Sequence, residues 1–311
     1  MSGRAAAWAE FLLGDIADLR GQYADADQRY DRSEAGARAA SEWGLAALTA
    51  YRRGRVASAQ GRFTAAEEHF NRCVQTCEER AVAEGWAGSL LSLAWMARLR
   101  DAPPDSVRTG LERALERAQE TGDAQIQSAA HRQLGFLAWD RFRDRADAQH
   151  HYDAAHAIST ERQEAKELGA IEGELGYLAS EWGDLDAAEE HSWRSIEIAR
   201  RIGDAHLLAS AYWNLGRALQ RRGDLDGAEH WHGRSRDQQQ LLGNPTGEAV
   251  AELSLAQVRR LQGRAEEARE SLVAAQRLVE AHGFGELRDD LAQEAQAQGL
   301  GREAGPESHP D

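Results

Sequence analysis

The feature that most constrains this chain is a ten-residue phrase written three times: GRFTAAEEHF from Gly61, GDLDAAEEHS from Gly183 and GDLDGAEHWH from Gly223. Its first glycine also occurs at Gly21 and Gly263, so neighbouring units are 40 residues apart (21 to 61, 183 to 223, 223 to 263). Between Gly61 and Gly183 lie two further units whose glycine is lost, at RDAPPDS near Asp101 and FRDRADA near Arg143. A second marker precedes the first, as Gly14, Gly54, Ala94, Gly135, Gly176, Gly216 and Ala256. A third follows, as Ala26, Ala66, Val107, Ala148, Ala188, Ala228 and Ala268. Seven units therefore run from about residue 5 to residue 283. A period of this size commits the chain to stacked units, because one unit cannot bury its own apolar face alone.

Each unit reads helix, turn, helix. Ala, Leu, Glu, Arg and Gln are abundant and favour helix, and none of the five prolines interrupts a predicted helix interior. The turn is GD or GR: glycine supplies the left-handed conformation that ends a helix, and the following aspartate can cap the next one. A second break (TGD, IGD, LGNP or HGFG) separates units. The helices carry Leu–Gly, a small residue about twelve on, and a ring or large apolar residue four later. Examples are Leu13–Gly14…Ala26…Tyr30, Leu93–Ala94…Val107…Leu111, Leu134–Gly135…Ala148…Tyr152 and Leu215–Gly216…Ala228…His232. The second unit reads Gly54…Ala66…Phe70.

This pattern resembles the tetratricopeptide repeat, with a period of 40 residues where the family standard is about 34. The resemblance implies an all-α protein: a right-handed superhelical solenoid of about seven helix-turn-helix repeats over residues 5–283, after a short N-terminal tail, 1–4. Residues 284–298 read as a C-terminal capping helix with a polar outer face, and 299–311 as a disordered tail.

On a helix that turns about 100° per residue, positions −3, +1 and +4 from the second marker fall together, opposite the stripe at −1 and +3 that carries most of the apolar residues. In the family that side lines the concave groove. Seven of its 21 positions are aromatic, against 7% of the whole chain, and five of those in units two to seven are arginine with no acid among them. Aromatic rings with arginine are the composition of interface hot spots. With flanking residues, the expected partner-binding groove is Tyr51, Arg52, Arg55, Leu91, Trp95, Arg98, Arg132, Phe136, Trp139, Tyr177, Trp213, Asn214, Arg217 and Arg221. The competing readings are that the rings pack between repeats and that the arginines pair with nearby acids.

A formal net charge of −15 argues against direct binding to nucleic acid or to anionic membranes. The first twenty residues carry Glu10, Asp15 and Asp18, unlike a signal peptide, and no run is long enough to span a membrane. Cys73 and Cys77 are the only cysteines, which suits two reduced thiols in a cytoplasmic protein. Neither QHHYDAAH (His150, His151, His156) nor EHWH (His230, His232) has the spacing of a metal site, and His232 reads as a packed ring in the slot of Tyr30 and Phe70. No nucleophile motif or phosphate loop occurs. The expectation is a non-enzymatic interaction module without metal or cofactor, binding a peptide segment of a protein partner that bears acidic groups. The alternative is a regulatory sensor for a small anionic ligand or signal peptide. An enzyme on a repeat scaffold ranks third, and self-association is left open.

Overall fold

The computed structural model describes residues 3–282 and 287–299. The chain divides into two compact units, with the division after Arg162. The first holds α1 (Gly3–Leu19), α2 (Tyr23–Ala39), α3 (Trp43–Ala59), α4 (Phe63–Arg80), α5 (Trp86–Leu99), α6 (Pro104–Thr121), α7 (Ala124–Phe142) and α8 (Arg145–Glu161). The second holds α9 (Ala165–Trp182), α10 (Leu185–Ile202), α11 (Ala205–Arg222), α12 (Leu225–Leu241), α13 (Pro245–Leu261), α14 (Ala265–His282) and α15 (Arg288–Ala297). All fifteen described elements are helical. α1 to α14 pair as seven hairpins, four in the first unit and three in the second. Helix α1 begins at Gly3, so residues 3 and 4 are helical where a tail was expected. The run of alanines from Ala5 favours helix, and Arg4 is held by Glu42 at 3.1 Å. Of the expected capping helix, 284–286 lie outside the described residues, as do 300–311 of the expected tail.

The helix ends follow the sequence punctuation. Asp184, Asp204, Asp224 and Asn244 each accept a backbone N–H three residues on, capping α10 to α13. Pro104 and Pro245 stand at the first helical position, where no N–H is missed. Gly183 closes α9 at φ +82°, and the Asp184 N–H returns to the Ala179 carbonyl at 2.9 Å. Where the glycine is lost, Asp101 and Arg143 adopt φ +54° all the same. Packing of the two flanking helices therefore sets the turn, against the local preference of the residue.

In each unit every helix packs on its chain neighbour, and the first helices of successive hairpins also meet one another. Glycine is the reason a ring can lie between the helices of a hairpin. A Cβ at Gly14 would fall 2.7 Å from the Tyr30 ring, at Gly54 2.5 Å from Phe70, at Gly135 2.8 Å from Tyr152 and at Gly216 2.8 Å from His232. Where the slot holds the slimmer Leu111 or Leu272, the partner is Ala94 or Ala256. Small hydroxyls join the two helices within a hairpin: Ser128 of α7 meets Ser159 of α8 at 2.7 Å, Ser195 of α10 donates to the Gly169 carbonyl of α9 at 2.8 Å, and Ser235 of α12 to that of Ala209 of α11 at 2.9 Å.

Helix α15 covers the end of the second unit. Leu291 is buried against Leu253, Leu272 and Val279, and Glu294, 3% exposed, accepts two bonds from the Arg260 guanidinium at 2.8 and 3.2 Å. Removing residues 287–311 would bare that apolar surface and strip Arg260 of its carboxylate. Fraying of α13 and α14 is the expected outcome, read as a helicity loss larger than α15 alone accounts for and as concentration-dependent elution. A truncated chain that melts like the full chain and elutes as a monomer would refute it.

Candidate binding face on the first helices

In the first unit the sequence-named residues are placed in different ways. Arg55, Leu91 and Trp95 line one open hollow of about 430 Å3 together with Phe70 and Gln133. Arg98 lies over the Phe136 ring at 4.8 Å, and Arg143 over that of Trp139 at 5.3 Å. Tyr51 is turned into the packing: its ring lies 6.0 Å from that of Phe70 and against Gly88, and burial pushes its phenol pKa up. Arg52 pairs with Asp15 at 3.3 Å, whereas Arg55 and Arg98 make no ion pair among the described residues. Arg132 is half-buried on α7 and engaged within the protein, as is Trp139.

In the second unit Tyr177 of α9 and Trp213 of α11 stack at 6.3 Å with 19° between their planes. The Arg217 guanidinium lies over both rings, at 4.6 Å from Tyr177 and 5.4 Å from Trp213. One oxygen of Glu181 accepts from Arg217 and also from Arg221, the latter at 2.8 Å. Trp213 Nε1 donates to Ser254 Oγ of α13 at 2.9 Å, which joins the sixth and seventh first helices. Asn214, 8% exposed, donates its amide to the Gly173 carbonyl at 2.8 Å and is held inside the packing.

Beside this stack, between α11 and α13, lies a cavity of about 310 Å3 lined by Trp213, Arg217, Gln220, Arg221, His232 and Gln257, with Val250, Leu253 and Ser254 on its α13 side. Burial, with Arg217 adding to it, holds the His232 pKa down to about 3, so the ring is neutral. Gln220, Leu253 and Gln257 occupy groove positions of the sequence pattern, although the named set omitted them. Glu181 and Ser254 carried no such signal, because their roles depend on which neighbouring helix they reach.

Among the described residues no three His, Cys, Asp or Glu side chains converge to hold an ion. His151 meets His131, Nδ1 to Nδ1 at 3.0 Å, inside the α7–α8 hairpin. Among the described residues no helix is long and apolar enough to cross a membrane.

The tetratricopeptide-repeat family profile matches residues 167–240 and 207–281, within the second unit. Residues 167–281 are tetratricopeptide repeats. Among solved structures, the chain resembles BtubC (BKLC) from P. vanneervenii, with 20% identity, a TM-score of 0.54 and coverage of 78% of this chain and 92% of that one. It also resembles the signal transduction ATPase with numerous domains that carries a tetratricopeptide repeat sensor in Pyrococcus horikoshii, with 14% identity and a TM-score of 0.69. That alignment takes in 92% of this chain and 44% of the ATPase, less than half its length. A third likeness is the Rap conjugation gene regulator of the plasmid pLS20, solved with the Phr* peptide: 15% identity, TM-score 0.61, 89% of this chain and 76% of that one. At such identities these likenesses establish the fold, an all-α tetratricopeptide-type repeat. No curated protein matches the chain.

Proposed function

We propose that this is a non-enzymatic, cytoplasmic interaction protein with a regulatory role, and that the first-helix face of its second unit binds a peptide segment bearing acidic groups. The observation that carries this reading is the Arg217 guanidinium lying over both Tyr177 and Trp213 beside an open cavity. Rings give contact area at little entropic cost, and a guanidinium fork takes a carboxylate in two parallel bonds. Glu181 already meets Arg217 and Arg221 through one oxygen. An acidic partner therefore exchanges one carboxylate for another, which favours selectivity over raw affinity. The plasmid regulator's complex with its peptide, and the sensor repeats of the ATPase, lend the same direction by likeness of fold. The compactness of the cavity supports a second reading, a sensor for a small anionic ligand.

The test is a titration of fluorescent acidic peptides against the full chain, with helicity followed by circular dichroism. Trp213→Ala should weaken binding by about 2 kcal/mol, roughly thirty-fold, and Arg217→Glu at least as much. The Arg217→Glu variant should also bind with less salt dependence. Arg201→Glu on α10 and His150→Ala on α8 should leave affinity unchanged. If these second-helix variants lose binding while Trp213→Ala keeps it, the site lies on the other face and the rings serve packing alone.

A further inference from the structure

At the wall of the cavity between α11 and α13 the repeat departs from its first hairpin. In the first hairpin the slot residue is Tyr30, whose ring lies on Gly14 and whose hydroxyl donates to Asp15 at 2.6 Å. The sixth hairpin places His232 on Gly216, and Arg217 stands where Asp15 stood. An imidazole is shorter than a phenol, so it stops short of the space that a tyrosine would fill. His232 is 1% exposed, and neither of its ring nitrogens meets a hydrogen-bond partner among the described residues. A neutral imidazole carries one N–H and one lone pair, and leaving such groups unmet in a buried place costs about 1–3 kcal/mol each. Packing alone would be better served by Phe, as at Phe70. A polar ring kept at the wall of a cavity points to something that the cavity receives.

The walls specify its chemistry. The Trp213 ring, Val250 and Leu253 are apolar, Gln220 and Gln257 bring amides, and the Arg217 and Arg221 guanidinium groups are matched by two carboxylates, Asp290 in the lining and Glu181 beside them. Glu181 takes one N–H from each of Arg217 and Arg221, which leaves further donors on both forks. A volume of about 310 Å3 lies at the small end for ligand pockets. We infer that this cavity binds a small aromatic carboxylate, its ring against Trp213, its anionic group at the Arg217 and Arg221 forks and a polar ring edge toward His232. The inference rests on the reading that this face of the second unit is the binding face, and it names a free small molecule as an occupant in addition to a peptide.

Saturation-transfer NMR on the full chain tests it with benzoate, 4-hydroxybenzoate, nicotinate, phenylacetate and indole-3-acetate, each beside its primary amide. At least one acid should bind ten-fold or more tightly than its amide, and more weakly as salt is raised. Arg221→Gln should weaken that acid several-fold. His232→Phe, which puts the ring of Phe70 into the slot, should abolish acid binding while the circular dichroism spectrum is unchanged. The inference is overturned if none of the acids binds, if acids and amides bind alike, or if His232→Phe binds as the wild type does. Acidic peptides that bind through Trp213 while every acid fails would remove this inference and leave the proposed function standing. Failure of both would remove both.

Discussion

Replacing Gly176 by leucine is expected to destabilise the second unit by about 3 kcal/mol, at the upper end for overpacked cores. A Cβ at Gly176 would sit 2.8 Å from Ser192 Oγ and 3.2 Å from two backbone atoms, the Ala188 carbonyl oxygen and the Ser192 nitrogen. The serine can rotate, but the backbone of α10 cannot retreat without opening the α9–α10 hairpin. Gly183→Val provides the contrast. At Gly183 a Cβ would meet nothing within 4 Å, so only the strain of φ +82° remains, worth about 1–2 kcal/mol. Urea unfolding should therefore rank the two variants, with Gly176→Leu the worse. Thermal melting should fall by roughly 6–12 °C for Gly176→Leu. A silent Gly176→Leu would mean that the register of α9 on α10 is wrong.

Acidification from pH 7.5 to 5 is expected to remove about 2 kcal/mol of stability through His232 alone. The folded pKa is held at about 3, by burial first and Arg217 second, against an ordinary value of 6.5. Below 6.5 the unfolded chain takes up a proton that the folded chain refuses. The stability is therefore complete above that pH and is lost as pH falls toward 3. His131 acts in the same direction, held near 4 by burial and by His151, with a smaller effect because it is only half-buried. The carboxylates whose pKa is lowered, Asp204, Glu229 and Glu267, start from 3.8 or 4.5 and act at lower pH. The window from 6.5 to 5 thus belongs to the histidines. Urea unfolding at the two pH values should show a smaller loss for His232→Phe than for wild type, by about 2 kcal/mol. Equal losses would rule out a neutral buried His232.

Much of the fold is legible in the sequence because its causes are local. A glycine under a ring, an aspartate after a left-handed turn and a proline at a first helical position each act within one hairpin. Each recurs at a fixed spacing, so the phrase from Gly183 already encodes the Schellman turn and the Asp184 cap seen in the structure. Even the units that lost their glycine, at Asp101 and Arg143, could be placed by period alone. The binding face is legible only in part. Helical periodicity says that Tyr177, Trp213 and Arg217 share a side, but not which residue of the next helix each one meets.

Three outcomes were decided by tertiary structure. Tyr51, on the face, and Asn214, flanking it, are drawn into packing, because a neighbouring first helix offers a glycine to one and a carbonyl to the other. Glu181 binds Arg217 and Arg221 across two helices, a pairing 36 and 40 residues apart in sequence. His232 reads in sequence as one more packed ring, and it is packed. What sequence does not show is that its ring borders a cavity, with Trp213, Arg217 and Arg221 of α11 on one side and Val250 and Leu253 of α13 on the other. The sequence by itself determined the all-helical repeat, its period and the residues at its turns, since these are set within a single hairpin. Which side chains remain open to a partner depends on distances between hairpins, and those are fixed only when the helices pack.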